Sequence, residues 1–352
     1  MKDLLDTAGV TTTYGSSLFA DHVPEHTATA VRFLEDAGYA VAGKANLHEF
    51  AYGVTSENPH FGTVPNPVAP GRVAGGSSGG SAAALAAGLA DAALGTDSGG
   101  SVRIPSACCG TTGLKTTWGV VPIDGCFPLA PSFDTVGPMA RDVAGCAAML
   151  RALVPGLEIP PPPPLEELRI GVAWLEQADP LVRARVEQAA ASFPGRRPLE
   201  LPLDHETQPL FMREVATVHE SLFAEYRDAY GPDLQRKIEA CFAVGDREAD
   251  EAAEARERLR ERALAAFGDL DAILTPTLPC VAPPVRLHED DERRAPLVRF
   301  TYTINALGWP AVALPCGPAE DGLPASAQLV GRPGEDGRLL AIAEALERAL
   351  GA

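Results

Sequence analysis

At 352 residues with 46% hydrophobic content, the chain is long enough to bury a sizeable core as one large domain or two. Its 47 acidic against 29 basic residues leave a net charge of −18, which repels phosphate backbones and anionic membranes and argues against either as a partner. The longest apolar stretch falls short of the roughly 20 residues a membrane span needs, and MKDLLDTAGV has no apolar core of a secretory signal.

The first 155 or so residues alternate helix-like and strand-like segments, the pattern of an α/β layer structure around a largely buried sheet. A helix is expected from His26 to Ala37, followed by a buried strand at Ala40, Val41 and Ala42 with Lys44 at its end. Between Gly75 and Ser106 two Gly-Ser clusters bracket an Ala/Leu run, and Ser81 to Gly95 reads as one buried core helix with a serine at each end. The prolines from Pro160 to Pro164 form a stiff, extended connector. After it LRIGVAW reads as a strand, Pro180 to Phe193 as a helix and RPLELPLD as a second strand, together a βαβ unit. A long charged helix over GDREADEAAEARERLRERALAAF follows, with Leu and Ala at helical spacing and the charges on a solvated face. From Asp271 the core pattern returns with a strand, a proline-rich loop and a final helix from Gly337 to Leu350. Seven cysteines without CxxC spacing point to buried thiols in a reducing cytoplasm, with no metal site. Cys126 is among them and reads as a small buried hydrophobe.

The glycines around the two serine clusters permit positive φ and leave successive N–H groups free to face a bound oxygen. A serine beside such a nest suits a hydrolase, but its hydroxyl is a weak nucleophile until a base removes the proton. Gly75-Gly76-Ser77-Ser78-Gly79 approximates the G-x-S-x-G elbow of α/β-hydrolases, which needs a later histidine. His22, His26, His48 and His60 precede the serines, and His205, His219 and His288 read as surface residues in charged stretches. A phosphate-binding P-loop would need Lys-Ser/Thr at the helix start, absent from GGSSGGS. Lysine is then the candidate base. A lysine at the end of a buried strand loses charge through desolvation, and Lys44 occupies that expected position; snorkelling to solvent, or pairing with Glu49, is the ordinary alternative.

The string GGSSGGSAAALAAGLADAALGTDSGGSVRIPSACCGTTGLKTTWGVVP resembles the signature region of the amidase signature family nearly residue for residue. GKANLHEF, NPHFGTVPNP, SFDTVGPMAR, ILTPTLPCVAPP and INALGWPAVALPCG extend the likeness over most of the chain outside a middle stretch of about a hundred residues. The resemblance implies an α/β fold with a mixed central sheet flanked by helices, and a Ser, cis-Ser, Lys triad: Ser101 as nucleophile, Ser77 as the bridging serine after a cis peptide, and Lys44 as base. It further implies an oxyanion hole from the amides of Ser98, Gly99, Gly100 and Ser101, with Ala51, Ser77 and Ser98 meeting the substrate. Asp97, Arg103 and Asp134 match positions of a buried charged scaffold, and Ser78 a loop support.

The resemblance divides the chain into an amidase core at 1–159, a variable lobe over the site at 160–268 and the remaining core at 269–352. The expected partner is a small amide, hydrolysed without cofactor or metal, in the cytoplasm; a homodimer is compatible. Departures are Thr116 where the family has proline, PASAQLVG where it usually reads P-V-G-L-Q-L, and a start too late. Family members run several tens of residues before the Lys-Asp pair found here as Lys2-Asp3, so the usual N-terminal segment is expected to be missing. A misassigned start, a truncation, or another segment filling the gap would each account for it, with lower stability than a longer parent expected. Two other readings stay open: the glutaminase subunit of a tRNA-dependent amidotransferase, which usually has glutamine where this chain has Ile104, and a noncatalytic protein of the same fold.

Overall fold

The computed structural model describes residues 1–204, 206–285 and 295–351. In chain order the first part contains α1 (Thr29–Asp36), the small hairpin β1 (Glu57–Asn58) and β2 (Gly62–Thr63), α2 (Gly79–Ala86), β3 (Ala92–Asp97), α3 (Arg103–Cys109), β4 (Thr112–Lys115), β5 (Thr135–Ala140) and α4 (Val143–Leu153). The middle holds β6 (Arg169–Val172), α5 (Pro180–Ala191), β7 (Gly195–Pro198), α6 (Gln208–Tyr226), α7 (Pro232–Phe242) and α8 (Asp246–Phe267). The last part holds β8 (Ala272–Pro276), α9 (Tyr302–Leu307), β9 (Ala311–Pro318), β10 (Pro324–Val330) and α10 (Asp336–Leu350).

Eight strands form one mixed sheet in the order β3-β5-β4-β9-β10-β8-β6-β7. Pairs from β3 to β8 are antiparallel, and β8-β6 and β6-β7 are parallel. The α/β mixed sheet expected from the resemblance is therefore present. Both faces are covered, as alternation along the central strands requires. Leu274 and Leu329 enter a core shared with α1, α4, α5 and α10, while their neighbours Ile273 and Val330 enter an aromatic-rich core shared with α6, α7, α8 and α9. The βαβ unit is found as β6-α5-β7, but its second strand lies at Gly195–Pro198, overlapping the expected RPLELPLD only at Arg197 and Pro198; residues 169–198 extend the central sheet, and α6 to α8 form the separate helical layer.

Three local expectations are corrected. The run from Ser81 to Gly95 is not one helix: α2 stops where Gly88 takes φ +69°, with Gly88 N–H donating to Leu85 O and Leu89 N–H to Ala84 O. The chain then reverses into β3, which places Ser77 before the helix and Ser101 beyond the strand. Ala40 to Ala42 form no strand: Ala40 and Ala42 are exposed, and three apolar residues are too few to bury themselves without a ladder. The nearby pairing is an isolated parallel bridge between Lys2 and Ala45. His219 is fully buried, with Nδ1 3.0 Å from the Tyr230 hydroxyl, because the aromatic face of α6 turns inward; burial lowers its pKa to about 4. His205 and His288 lie outside the described residues. All seven cysteines are free thiols, Cys126 being half-buried with its pKa raised to about 12 by burial. Among the described residues no helix is long and apolar enough to cross a membrane.

Candidate active site

The loop carrying Ser101 is built on a buried ion pair. Asp97 ends β3, and its carboxylate accepts the backbone N–H of Gly100 at 2.7 Å and of Val102 at 3.1 Å. Arg103, at the start of α3, closes on the same carboxylate through Nε and a terminal nitrogen, each at 3.0 Å. The guanidinium also donates to Gln328 on β10 and to Asn305 and the Thr301 carbonyl at α9. Burial alone would raise the Asp97 carboxyl, but Arg103 outweighs it and holds the group well below the usual carboxylate range. The Asp97–Arg103 pair therefore fixes the loop backbone.

Gly100 takes φ +127°, and a Cβ there would lie 2.2 Å from the Thr301 hydroxyl, which itself donates to Gly99 O at 2.7 Å. Both backbone and space demand glycine. Gly100→Ala is expected to reduce activity by at least about 10²-fold, comparable to losing an oxyanion donor, with a lowered melting temperature; steady-state kinetics and thermal unfolding check this.

Ser77 is fully buried, follows a cis peptide from Gly76, and leads into α2. Its Oγ lies 2.7 Å from Lys2 Nζ, whose other partner is Thr96 Oγ1 at 2.6 Å. Lys2 is held against β3 by its own N–H to Leu94 O, so Lys2 and Thr96 are presented from adjacent backbones. Complete burial lowers the Lys2 amine to about 7, against smaller opposing contributions from Cys126, Asp97 and Asp134. This is the desolvated lysine that a base requires.

Lys44 is not brought to Ser77. Its Nζ donates to Leu5 O at 2.5 Å and Thr12 Oγ1 at 2.7 Å, and lies 3.4 Å from Asp3 Oδ1. The reason is the missing strand at 40–42: without it Lys44 sits on irregular backbone, where the Thr12 hydroxyl, the Leu5 carbonyl and Asp3 engage its ammonium. Burial lowers its pKa and Asp3 opposes the shift. Lys2 is the lysine that the structure brings to Ser77, and the available signal was its place in Lys2-Asp3, the pair that matches the family's Lys-Asp.

Other expected site residues fall as follows. Ser101 is buried at the head of the Asp97 loop, and its carbonyl accepts the Ser78 N–H at 3.2 Å. No hydrogen bond joins the Ser77 and Ser101 hydroxyls among the described residues. The Gly100 amide, expected in an oxyanion hole, is committed to Asp97, because the carboxylate that shapes the loop consumes it. The Gly99 and Ser101 amides donate to no protein group among the described residues. Ser98 donates its hydroxyl to Asp134 at 2.5 Å, and Asp134 also accepts the N–H groups of Leu129 and Ala130. Ser78 is tied to Thr96 on β3. Ala51 is buried with φ +60° in a short turn whose His48 N–H donates to Ser77 O at 3.2 Å.

The Amidase family model matches residues 1–192 and 158–340. The A subunit of glutamyl-tRNA(Gln) amidotransferase from Roseiflexus sp. (strain RS-1) is 35% identical, over 99% of this chain and 81% of its own length. A solved amidase superposes with a TM-score of 0.90 at 36% identity, covering 99% of this chain and 83% of the other. The solved A subunit of glutamyl-tRNA(Gln) amidotransferase from Thermotoga maritima superposes with a TM-score of 0.85 at 29% identity, covering 99% and 82%. A family match across the chain, together with relatives of this identity and extent, places the chain in the amidase signature family of carbon–nitrogen hydrolases.

Proposed function

We propose that the protein hydrolyses the carbon–nitrogen bond of a small carboxamide through an acyl-enzyme on Ser101, with Ser77 and Lys2 relaying the proton. The observation that carries this reading is the Lys2 amine, 2.7 Å from Ser77 Oγ and with a pKa lowered to about 7 by burial. Neutral Lys2 takes the Ser77 proton as Ser77 takes that of Ser101, and Ser101 Oγ bonds to the carbonyl carbon. The contact between the two hydroxyls closes in the substrate complex, as catalytic hydrogen bonds often tighten only there. The Gly99 and Ser101 amides face the developing oxyanion. Collapse breaks the C–N bond, the proton returns along the same path to the leaving nitrogen, and water then releases the acid by the reverse sequence.

The reading as a glutaminase subunit is favoured by the curated amidotransferase relatives; against it stands Ile104, fully buried beneath the nucleophile loop. Ammonia release from a panel of simple amides by the isolated chain, abolished in Ser101→Ala, is the expected result. Release only after addition of partner subunits would favour the second reading, and none under either condition would favour a noncatalytic role.

A further inference from the structure

We infer that α7 fixes the backbone of Ser77 through the turn at residues 48–52, with Asp233 acting through His48 as a positioning residue for the proton relay. The inference rests on the proposed role of Ser77. The turn contains two successive left-handed residues, Phe50 at φ +45° and Ala51 at φ +60°, a conformation that non-glycine residues keep only where surrounding contacts over-determine it. Tyr14 O accepts the Phe50 N–H at 2.9 Å and Ser16 and His60 meet Glu49 Oε1, each at 2.9 Å; the remaining support comes from α7 and the residue preceding it. The Gly231 N–H donates to Glu49 Oε2 at 3.0 Å, Asp233 Oδ2 lies 3.9 Å from His48 Nε2, Lys237 Nζ donates to Tyr52 O at 3.2 Å, and the Tyr52 hydroxyl is 3.6 Å from Cys241 Sγ.

At the inner end, the Ser77 carbonyl accepts the His48 N–H and the Ser56 hydroxyl, both at 3.2 Å. One residue, His48, thus touches the relay serine with its backbone and the helix with its ring. The ring has little freedom: a Cβ on Gly53 would lie 2.1 Å from His48 Nε2, so glycine leaves the ring its place. Asp233 Oδ2, the oxygen that faces His48, is also held by Lys237 at 2.6 Å, whereas Arg236 meets the other oxygen, Oδ1, at 3.2 Å. Ser77 must keep its hydroxyl between Lys2 and Ser101, and displacements near 1 Å at such positions cost up to about 10²-fold in rate. A helix outside the central sheet therefore bears on the relay.

The test uses the rate of fluorophosphonate labelling of Ser101, which requires the relay but little of the acyl pocket, together with kcat and KM on one small amide. Asp233→Asn and His48→Asn are each expected to slow labelling about tenfold and to lower kcat with KM unchanged. The double variant should be no slower than the slower single, and Asp233→Glu should restore most of the rate. Arg236→Met, which removes the partner of the Asp233 oxygen that faces away from His48, is expected to label at the wild-type rate. Wild-type labelling in Asp233→Asn, losses that multiply in the double variant, or an equal loss in Arg236→Met would each overturn the inference. Ser101→Ala run alongside separates the two levels: an adduct persisting there defeats the nucleophile assignment, whereas a blank there with full labelling in Asp233→Asn defeats only the positioning role.

Discussion

Lys2→Met is expected to lower kcat/KM for amide hydrolysis by about 10²- to 10⁴-fold, the range for loss of a positioned general base, without lowering stability at pH 7. The wild-type enzyme should gain activity as pH rises through about 7, where Lys2 loses its proton. The stability effect has the same origin. Folding lowers the Lys2 pKa from its ordinary 10.5 to about 7, so between those values the unfolded chain binds the extra proton. Stability contributed by this group therefore rises with pH from about 7 to 10.5, and its penalty is full and constant below 7. Lys115, buried on two carbonyls and also lowered to about 7, adds a rise over the same window. The methionine variant should show a shallower increase of melting temperature with pH, because one of the two fully buried lysines is gone. Lys44→Met should behave oppositely. It strands Asp3 Oδ1, which has no hydrogen-bond partner among the described residues, at a cost of about 1–3 kcal/mol, while activity falls less than about tenfold.

The second large effect is expected at Arg103. Arg103→Met leaves the Asp97 carboxylate fully buried without its countercharge and should destabilise the fold by about 3–5 kcal/mol. The loss reaches function because the same carboxylate holds the Gly100 and Val102 amides, and the same guanidinium ties the loop to α9 and β10. Arg141→Met offers the contrast. Its pair with Asp91 is exposed on both sides, 51% and 98%, and removal should shift stability by no more than about 0.5 kcal/mol. Urea unfolding of the two variants measures both.

Much of the architecture is legible in the residues. Helical spacing in the charged run gives α8, and the βαβ signal gives β6-α5-β7, because both rest on local periodicity. The split of the Ser81–Gly95 run is harder to read: alanine suits a helix, and only the positive φ of Gly88 and the pairing of β3 with β5 divide it. The two serines are marked by their glycines. The lysine is not, because which amine is desolvated depends on what packs over it. Lys2 reads as half of the family's Lys-Asp pair, with no sign that its amine is desolvated; its burial comes from β3, Ser77 and Thr96, the two residues lying 75 and 94 positions away. The commitment of the Gly100 amide to Asp97 is likewise a matter of loop geometry, invisible in a Gly-Gly pair.

The most direct test follows the rate of Ser101 labelling by a fluorophosphonate against pH in the wild type, Lys2→Met and Lys44→Met. Wild type and Lys44→Met should both rise with a midpoint near 7, while Lys2→Met should be slow and flat across that range. A flat, slow profile in Lys44→Met beside a normal one in Lys2→Met would contradict the relay from Ser101 through Ser77 to Lys2.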